Sequence, residues 1–260
     1  MSAPVADGLL TPLPSPATFR SGFACIRVPL PAPSIVDFQQ LALIAPGLLF
    51  AMVAHEYAHG YAALKQGDPT AYQLGRLTLN PLKHIDPFMT VILPLVLWAM
   101  GGPIFGGAKP VPVNPRNYRN YKKGDIIVSL AGVATNVMIA IACIPVIILL
   151  GFLGQQIPGL ERPLAIAQRI AEVSILINLF LAAFNLLPIP PLDGSHVFKY
   201  LLPPRWALQY QRLGGAGLLI LFAMLSFGRP LINAWLTPVY VLRIMAERVY
   251  FPYLLPNPFA

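Results

Sequence analysis

Residues 54–60 read AHEYAHG and lie within FQQLALIAPGLLFAMVAHEYAHGYAAL (38–64), a stretch otherwise composed mainly of apolar and small residues. Ionisable side chains inside an apolar segment are costly and mark functional sites. A helix places residues i and i+4 on one face, so the imidazoles of His55 and His59 can both reach one metal ion. Glu56 lies one position on, close enough to accept a proton from a zinc-bound water. The stretch therefore predicts an HExxH site that holds one Zn²⁺ per chain.

The composition of the chain is that of a membrane protein. Of its 260 residues, 56% are hydrophobic and only 11% are charged, and the mean hydropathy is +0.65. Soluble domains carry about a quarter charged residues, and a helix that crosses a bilayer needs roughly 20 mostly apolar residues. The segments that approach this length are 38–64, 126–154, 173–192 and 206–228, with 231–250 as a weaker fifth. We therefore expect an integral membrane protein.

The net charge of +8 comes from basic residues in the loops and tails of the chain. Basic loops fit anionic lipid headgroups, and Lys and Arg accumulate on the cytoplasmic side of membrane proteins. The lipid bilayer is therefore an expected partner, and no nucleic acid is expected. The distribution of Lys and Arg favours an N-terminus outside the cytoplasm and a C-terminus inside it.

Two stretches between the apolar segments predict local structure at the membrane surface. In AYQLGRLTLNP (71–81), apolar and polar residues alternate on either side of Gly75, which predicts a short strand or β-hairpin. The apolar run 88–100 reaches about half a span before glycines interrupt it, which favours a re-entrant segment over 88–107. The predicted fold class is an all-α membrane protein, a polytopic bundle of about five to six transmembrane helices with these two features.

The chain divides into three parts by composition. Residues 1–37 are proline-rich and contain no apolar core behind a basic segment, so they predict a disordered or surface-lying tail. Residues 38–251 are predicted to form a single integral membrane domain, and residues 252–260 a C-terminal tail.

A catalytic zinc site takes three protein ligands and leaves a fourth position for water, so a third ligand is needed. Asp193 is favoured, because the proline-rich break in NLLPIPPLDGSH (185–196) places it at membrane depth on unwound backbone. His196 is the alternative third ligand, and His84 is a more distant one. Asp193 could also be an ordinary turn or cap residue.

Three motifs resemble the site-2 protease family of intramembrane zinc metalloproteases: HEYAH (55–59), AGVATN (131–136) and NLLPIPPLDG (185–194). The stretches GRLTLNPLKHIDP and AKPVPVNPRNYRN resemble the short bacterial branch of that family, which lacks PDZ and CBS domains. The resemblance implies that His55, His59 and Asp193 bind zinc and that Glu56 is the general base.

Two asparagines also match family motifs. Asn136 corresponds to the asparagine of the family's GPxxN motif, although Val133 stands where that motif has proline, and Asn185 opens the NxxPxxPLDG segment. Either amide could donate a hydrogen bond to a substrate carbonyl or its oxyanion. Each could instead join neighbouring helices, a common role of asparagine in membranes.

The resemblance covers roughly 40–205 and implies a zinc metalloendopeptidase that lies in the bacterial inner membrane. Its reaction would be regulated intramembrane proteolysis, the hydrolysis of peptide bonds in transmembrane or membrane-anchored protein substrates. The alternative is a non-catalytic zinc-binding membrane protein, such as a transporter or a sensor. Catalysis is favoured, because ionisable residues within the spans are nearly confined to one cluster and Glu56 is not needed for coordination.

Overall fold

Long apolar runs form helices because a backbone surrounded by lipid must satisfy its own hydrogen bonds. The computed structural model describes residues 38–99 and 106–259. The α-helices of this part are α1 (Phe38–Gln66), α2 (Thr70–Gln73), α3 (Leu93–Ala99), α4 (Tyr121–Gln156), α5 (Glu161–Asn185), α6 (Asp193–Phe198), α7 (Pro204–Arg212), α8 (Gly217–Phe227) and α9 (Arg229–Tyr250). Short 3₁₀ or π segments are Pro81–Lys83, Pro87–Ile92, Pro115–Asn117, Lys199–Leu201, Leu213–Ala216 and Phe251–Tyr253. The predicted tail 1–37 lies outside the described residues.

The centre of the domain is built from α1, α4 and α5, and α9 packs against α5 and α4. A buried apolar cluster joins α4, α5 and α9 and consists of Ala140, Ile147, Ala171, Ile175, Leu179, Leu236, Val239, Ala246 and Tyr250. Met138, Ile141, Leu149 and Phe152 on α4 are each more than half exposed. Because lipid is as apolar as these side chains, they form a surface suited to the bilayer.

Three helical stretches among the described residues are long and apolar enough to cross a membrane: α4, α5 and the continuous stretch Pro204–Phe227. The prediction of five to six spans is therefore confirmed only for these three. The helix α1 has 29 residues but carries the His–Glu–His group, and α9 carries four charged side chains. The predicted span 173–192 is displaced, since α5 begins at Glu161 and ends at Asn185.

The predicted strand or hairpin at 71–81 is wrong, because the described residues contain no β-strand and this stretch begins as the short helix α2. The N–H of Arg76 donates to the carbonyl of Ala71, and the N–H of Gly75 donates to that of Tyr72. These two bonds form a Schellman motif, in which a residue with positive φ ends a helix. Gly75 takes that position with φ 62°. The glycine is therefore a helix cap, and the alternation around it does not reflect a sheet.

The two ends of the predicted re-entrant segment lie side by side. The Gly107 N–H donates to the carbonyl of Met89 at 3.1 Å, and the Thr90 hydroxyl donates to the carbonyl of Gly107 at 2.7 Å. A segment that crossed the bilayer would separate its ends by the thickness of the hydrocarbon, about 30 Å. The hydrogen bonds therefore do not fit a complete crossing between residues 89 and 107.

The buried Asp68 joins the end of α1 to the loop that leads into α4. Its carboxylate accepts hydrogen bonds from the backbone and hydroxyl of Thr70, from the Asn114 N–H at 2.6 Å and from the Asn117 amide at 2.8 Å. Burial raises the pKa of this carboxyl, but the four hydrogen bonds outweigh burial and hold the pKa below its usual value. Asp68 thereby fixes α1 relative to α4.

The predicted C-terminal tail is attached to the helices by Gln168 on α5. The side-chain amide of Gln168 donates to the carbonyl of Tyr253 at 2.8 Å and to that of Ile147 at 2.9 Å. The Leu255 N–H donates back to the Gln168 Oε1 at 2.9 Å. Residues just beyond 251 therefore pack against α4 and α5.

We expect Asp68→Asn to lower the free energy of unfolding by about 1–3 kcal/mol, because buried donors lose their acceptor. The thermal unfolding midpoint of the purified protein in detergent measures this change. Glu161→Gln removes one exposed negative charge at the start of α5 and is the matched control. The pKa of Asp68 is lowered in the folded protein. Its contribution to the free energy of unfolding is therefore present above about pH 4 and is lost as the pH falls through the folded pKa. Equal midpoints for the two variants would contradict this role.

Candidate metal centre

The helix α1 brings the two histidines of the HEYAH motif together. His55 and His59 are separated by one helical turn, and their Nε2 atoms lie 2.9 Å apart. Their rings meet edge to face, with centroids 4.6 Å apart. Both Nε2 atoms therefore point to the same position beside the helix.

Asp193 reaches the same position from the start of α6. It is the first residue of α6, directly after the non-helical connection that follows α5. Its Oδ2 lies 3.1 Å from the Nε2 of His55 and 3.3 Å from the Nε2 of His59. Among the described residues, these three form a group that could hold a metal ion.

The two alternative ligands lie elsewhere. The Nδ1 of His196 is 3.5 Å from the Oδ1 of Asp125, and the His196 side chain is about half exposed. His84 is buried, and its Nε2 is 2.8 Å from the carbonyl of Thr78. The structure therefore brings Asp193 to the histidine pair and neither His196 nor His84.

The second nitrogen of each histidine ring has an acceptor within the protein. The Nδ1 of His55 pairs with the Oδ1 of Asn136, and the Nδ1 of His59 lies 2.7 Å from the carbonyl of Val128. Because each of these oxygens accepts a hydrogen bond, we assign the ring proton to Nδ1 in both histidines. The Nε2 lone pairs are then free for a metal ion. Such hydrogen bonds are typical of histidines that bind metal.

The arrangement fits a zinc ion. Three lone-pair atoms converge, and the Oδ2 of Asp193 is buried with no hydrogen-bond donor among the described residues. Two ligand atoms that each lie about 2.0 Å from a tetrahedral zinc are about 3.3 Å apart, close to the separations of 2.9, 3.1 and 3.3 Å in this group. Without a cation, the three electron-rich atoms would repel one another.

Gly132 on α4 leaves the space that such an ion requires. A Cβ atom at this position would lie 2.6 Å from the Nε2 of His55 and 2.6 Å from the Nε2 of His59. Any larger residue would therefore press on both candidate ligand atoms. The absence of a side chain at 132 is part of the site.

Glu56 is held beside the group by a loop and does not belong to the ligand set. Its Oε2 accepts a hydrogen bond from the Val111 N–H at 2.7 Å. No donor among the described residues reaches Oε1. One carboxylate oxygen is therefore fixed, and the other is available for a proton.

The two candidate asparagines differ in their surroundings. Asn136 is fully buried, and its amide donates to the Asn178 Oδ1 at 2.8 Å and to the Ala51 carbonyl at 3.4 Å. This network joins α1, α4 and α5, which is the second role that the sequence allowed for this asparagine. The Asn185 amide donates to the carbonyl of Leu181 in its own helix at 3.0 Å. Both amides already have protein partners.

Three contributors to the site were missed by sequence reasoning: Gly132, Asn178 and Val111. Asn178 is a polar residue inside an apolar run, which is a usable signal. Gly132 precedes Asn136 by four residues and so shares its helix face. Val111 contributes only its backbone N–H to the site. Every residue except proline has this group, so the amino-acid type does not predict the contact.

The sequence model of peptidase family M50 matches residues 43–227. The "Putative zinc metalloprotease YwhC" of Bacillus subtilis (strain 168) is 38% identical over 162 residues, which cover 60% of this chain and 68% of the relative. The "Putative zinc metalloprotease Rip2" of Mycolicibacterium smegmatis is 32% identical over 199 residues, which cover 74% of this chain and 69% of the relative. No solved structure gives a significant match.

These similarities extend over most of the domain that contains the metal-binding group, and they confirm the resemblance drawn from the sequence motifs. Both relatives are named as zinc proteins. Since the family model covers more than half of the chain, this protein belongs to peptidase family M50.

Proposed function

We propose that this protein is an intramembrane zinc metalloprotease that hydrolyses peptide bonds of transmembrane or membrane-anchored proteins, as in regulated intramembrane proteolysis. The observation that carries the proposal is the convergence of His55, His59 and Asp193 beside Glu56 among membrane-type helices. Family membership supplies the reaction class, and the apolar helices supply the setting. The proposed location is the bacterial inner membrane, with the N-terminus outside and the C-terminus in the cytoplasm.

His55, His59 and Asp193 would hold one zinc ion per chain. When bound, zinc polarises a carbonyl and lowers the pKa of water towards about 7. The Nδ1 hydrogen bonds of the two histidines fix their tautomers and ring orientations, so that both Nε2 atoms remain directed at the ion. Asp193 offers its anionic Oδ2 without a competing hydrogen bond from the described residues.

Glu56 is the proposed general base. It adjoins His55 in sequence, and its Oε1 receives no hydrogen bond from the described part of the protein. The carboxylate takes a proton from the attacking water and later delivers it to the leaving amine. A group with this task must be both positioned and able to exchange a proton, and the fixed Oε2 with the available Oε1 meets both needs.

A helical substrate must unwind before its peptide bond can react, because its carbonyls are bound to its own amides. Residues 76–80 form neither helix nor sheet. The side chain of Leu79 in this stretch and those of Leu74 and Leu82 on either side of it are more than half exposed. We propose that these exposed leucine side chains contact the unwound substrate.

Water requires a polar route to the site. Irregular backbone at membrane depth is tolerated where it lines a cavity, and the connection 186–192 is such a segment. A cavity of about 310 Å³ lies beside its end and is lined in part by Pro190, Ser195, His196 and Lys199. We propose that water approaches Asp193 from this side.

The Glu56→Gln variant distinguishes the two candidate functions, a protease and a zinc transporter or sensor. We expect the variant to retain about one zinc per chain, because Glu56 is not a ligand, and to lose cleavage of a model transmembrane substrate by at least about a hundredfold. Metal analysis and a cleavage assay on the same purified sample measure both. Undiminished cleavage would exclude Glu56 as the base, and a wild type that binds zinc but never cleaves would favour the non-catalytic alternative.

Asp193→Ala and His196→Ala form a matched pair for the third ligand. We expect Asp193→Ala to lower the zinc content well below one per chain, because an anionic ligand is lost. His196→Ala should keep its zinc, since His196 lies against Asp125. Zinc titration against a competing chelator gives the affinity of each variant. Loss of zinc in His196→Ala alone would reverse the assignment.

Gly132→Ala tests the space between α4 and the histidines. The added Cβ would approach both Nε2 atoms, so zinc affinity should fall by about tenfold or more. Gly215→Ala is the control, because a Cβ at 215 meets nothing within 4 Å. The same chelator competition measures the effect. Equal affinities in the two variants would show that α4 does not limit the site.

A further inference from the structure

A short loop segment lies across α1 next to the general base. Residues 109–112, which we call the strap, read KPVP. Val111 in the strap is only 6% exposed, and a Cβ atom on Gly60 would lie 2.9 Å from its Cγ1. Gly60 is one helical turn after Glu56, so the strap packs directly against the part of α1 that carries the base.

The strap presents one N–H group to Glu56. Pro110 and Pro112 have no N–H, so Val111 carries the only backbone donor of residues 110–112. That donor lies 2.7 Å from the Oε2 of Glu56, the short distance of a hydrogen bond to a charged acceptor. The proline rings also restrict the backbone on both sides of Val111. The donor is therefore held in a stiff segment.

The strap is anchored at its other end to residues 76–84. The Lys109 N–H donates to the carbonyl of His84 at 2.7 Å. The Arg76 guanidinium donates to the carbonyls of Lys109 at 3.1 Å and Pro110 at 3.4 Å. These contacts connect the stretch that we assign to substrate with the residue that holds Glu56.

We propose that Val111 is a positioning residue for the reaction: its N–H fixes the Oε2 of Glu56 and keeps the Oε1 free for the proton, and Arg76 holds the strap in place. The inference rests on the proposed function of Glu56. A glutamate side chain loses much rotamer freedom when it is ordered. A rigid donor supplied by the fold means that the carboxylate is already ordered when substrate arrives.

A purely structural strap would also make the Val111–Glu56 bond, so a test must separate positioning from loop closure. Val111→Pro removes the donor, whereas Val111→Ala keeps the donor and removes most of the packing against Gly60. The comparison of the two variants separates the effect of the N–H donor from that of the side-chain packing. Arg76→Ala and Arg76→Lys form a second pair that does not touch Glu56.

The first experiment requires no catalysis. Hydrogen–deuterium exchange of the full chain in detergent compares the wild type with Glu56→Ala, in a peptide that contains the strap. Within the strap only Lys109 and Val111 have exchangeable amides, and we expect one additional fast-exchanging amide in the variant. Exchange in α5 should be unchanged as the control. Unchanged exchange in the strap would overturn the proposal.

The second experiment measures kcat, KM and zinc content on the same samples. We expect Val111→Pro to keep its zinc and to keep KM within about twofold, while kcat falls by about tenfold to a hundredfold. Val111→Ala should lower kcat less than Val111→Pro does, because it keeps the N–H donor. Arg76→Ala should lower kcat, and Arg76→Lys should restore part of it, because an ammonium can still donate to one strap carbonyl.

Equal losses of kcat in Val111→Pro and Val111→Ala would overturn the proposal, as would loss of zinc in Val111→Pro. A wild type that binds zinc but never cleaves would instead refute the proposed function, and zinc-dependent cleavage that does not require Glu56 would refute its role as the general base. The exchange experiment still decides on the hydrogen bond in either case, so the two failures are distinguishable.

Discussion

Three electron-rich atoms are held within hydrogen-bond distance of one another: the Nε2 atoms of His55 and His59 and the Oδ2 of Asp193. Apolar surroundings screen their repulsion poorly, so a cation between the three atoms would stabilise the arrangement. The surrounding structure follows from this constraint. The helix α4 must leave room, which it does at Gly132, and the connection after α5 must end where Asp193 can face α1.

The polar network behind His55 serves packing and coordination together. Helices in lipid gain little from burying apolar surface against one another, so polar side chains that bond across helices contribute to their association. Asn136 bonds to His55 and the Ala51 carbonyl on α1 and to Asn178 on α5. The bonds that assemble the three helices therefore also select the tautomer of a ligand. Truncating this amide would leave buried partners unsatisfied, at a cost of about 1–3 kcal/mol each.

Spacing and apolarity allowed much of the site to be predicted from the sequence. The i, i+4 spacing of His55 and His59 fixes their common face on a helix, and the proline break before Asp193 indicated an unwound approach to the membrane interior. The hairpin at 71–81 failed because alternation over a few residues cannot distinguish a strand from a short helix capped by glycine. Gly132 and Val111 could not be assigned, because one acts through a missing side chain and the other through its backbone. Such contributions depend on which segments meet in space.

The candidate ligands are far apart in the chain, with His55 and His59 on the first described helix and Asp193 after the fifth. A growing polypeptide that has released only α1 therefore has two candidate nitrogen ligands and lacks Asp193, the third candidate. The three candidate ligands come together only after α6 has been synthesised and has packed against α4. The chain order therefore delays the complete set of candidate ligands until most of the domain has been synthesised.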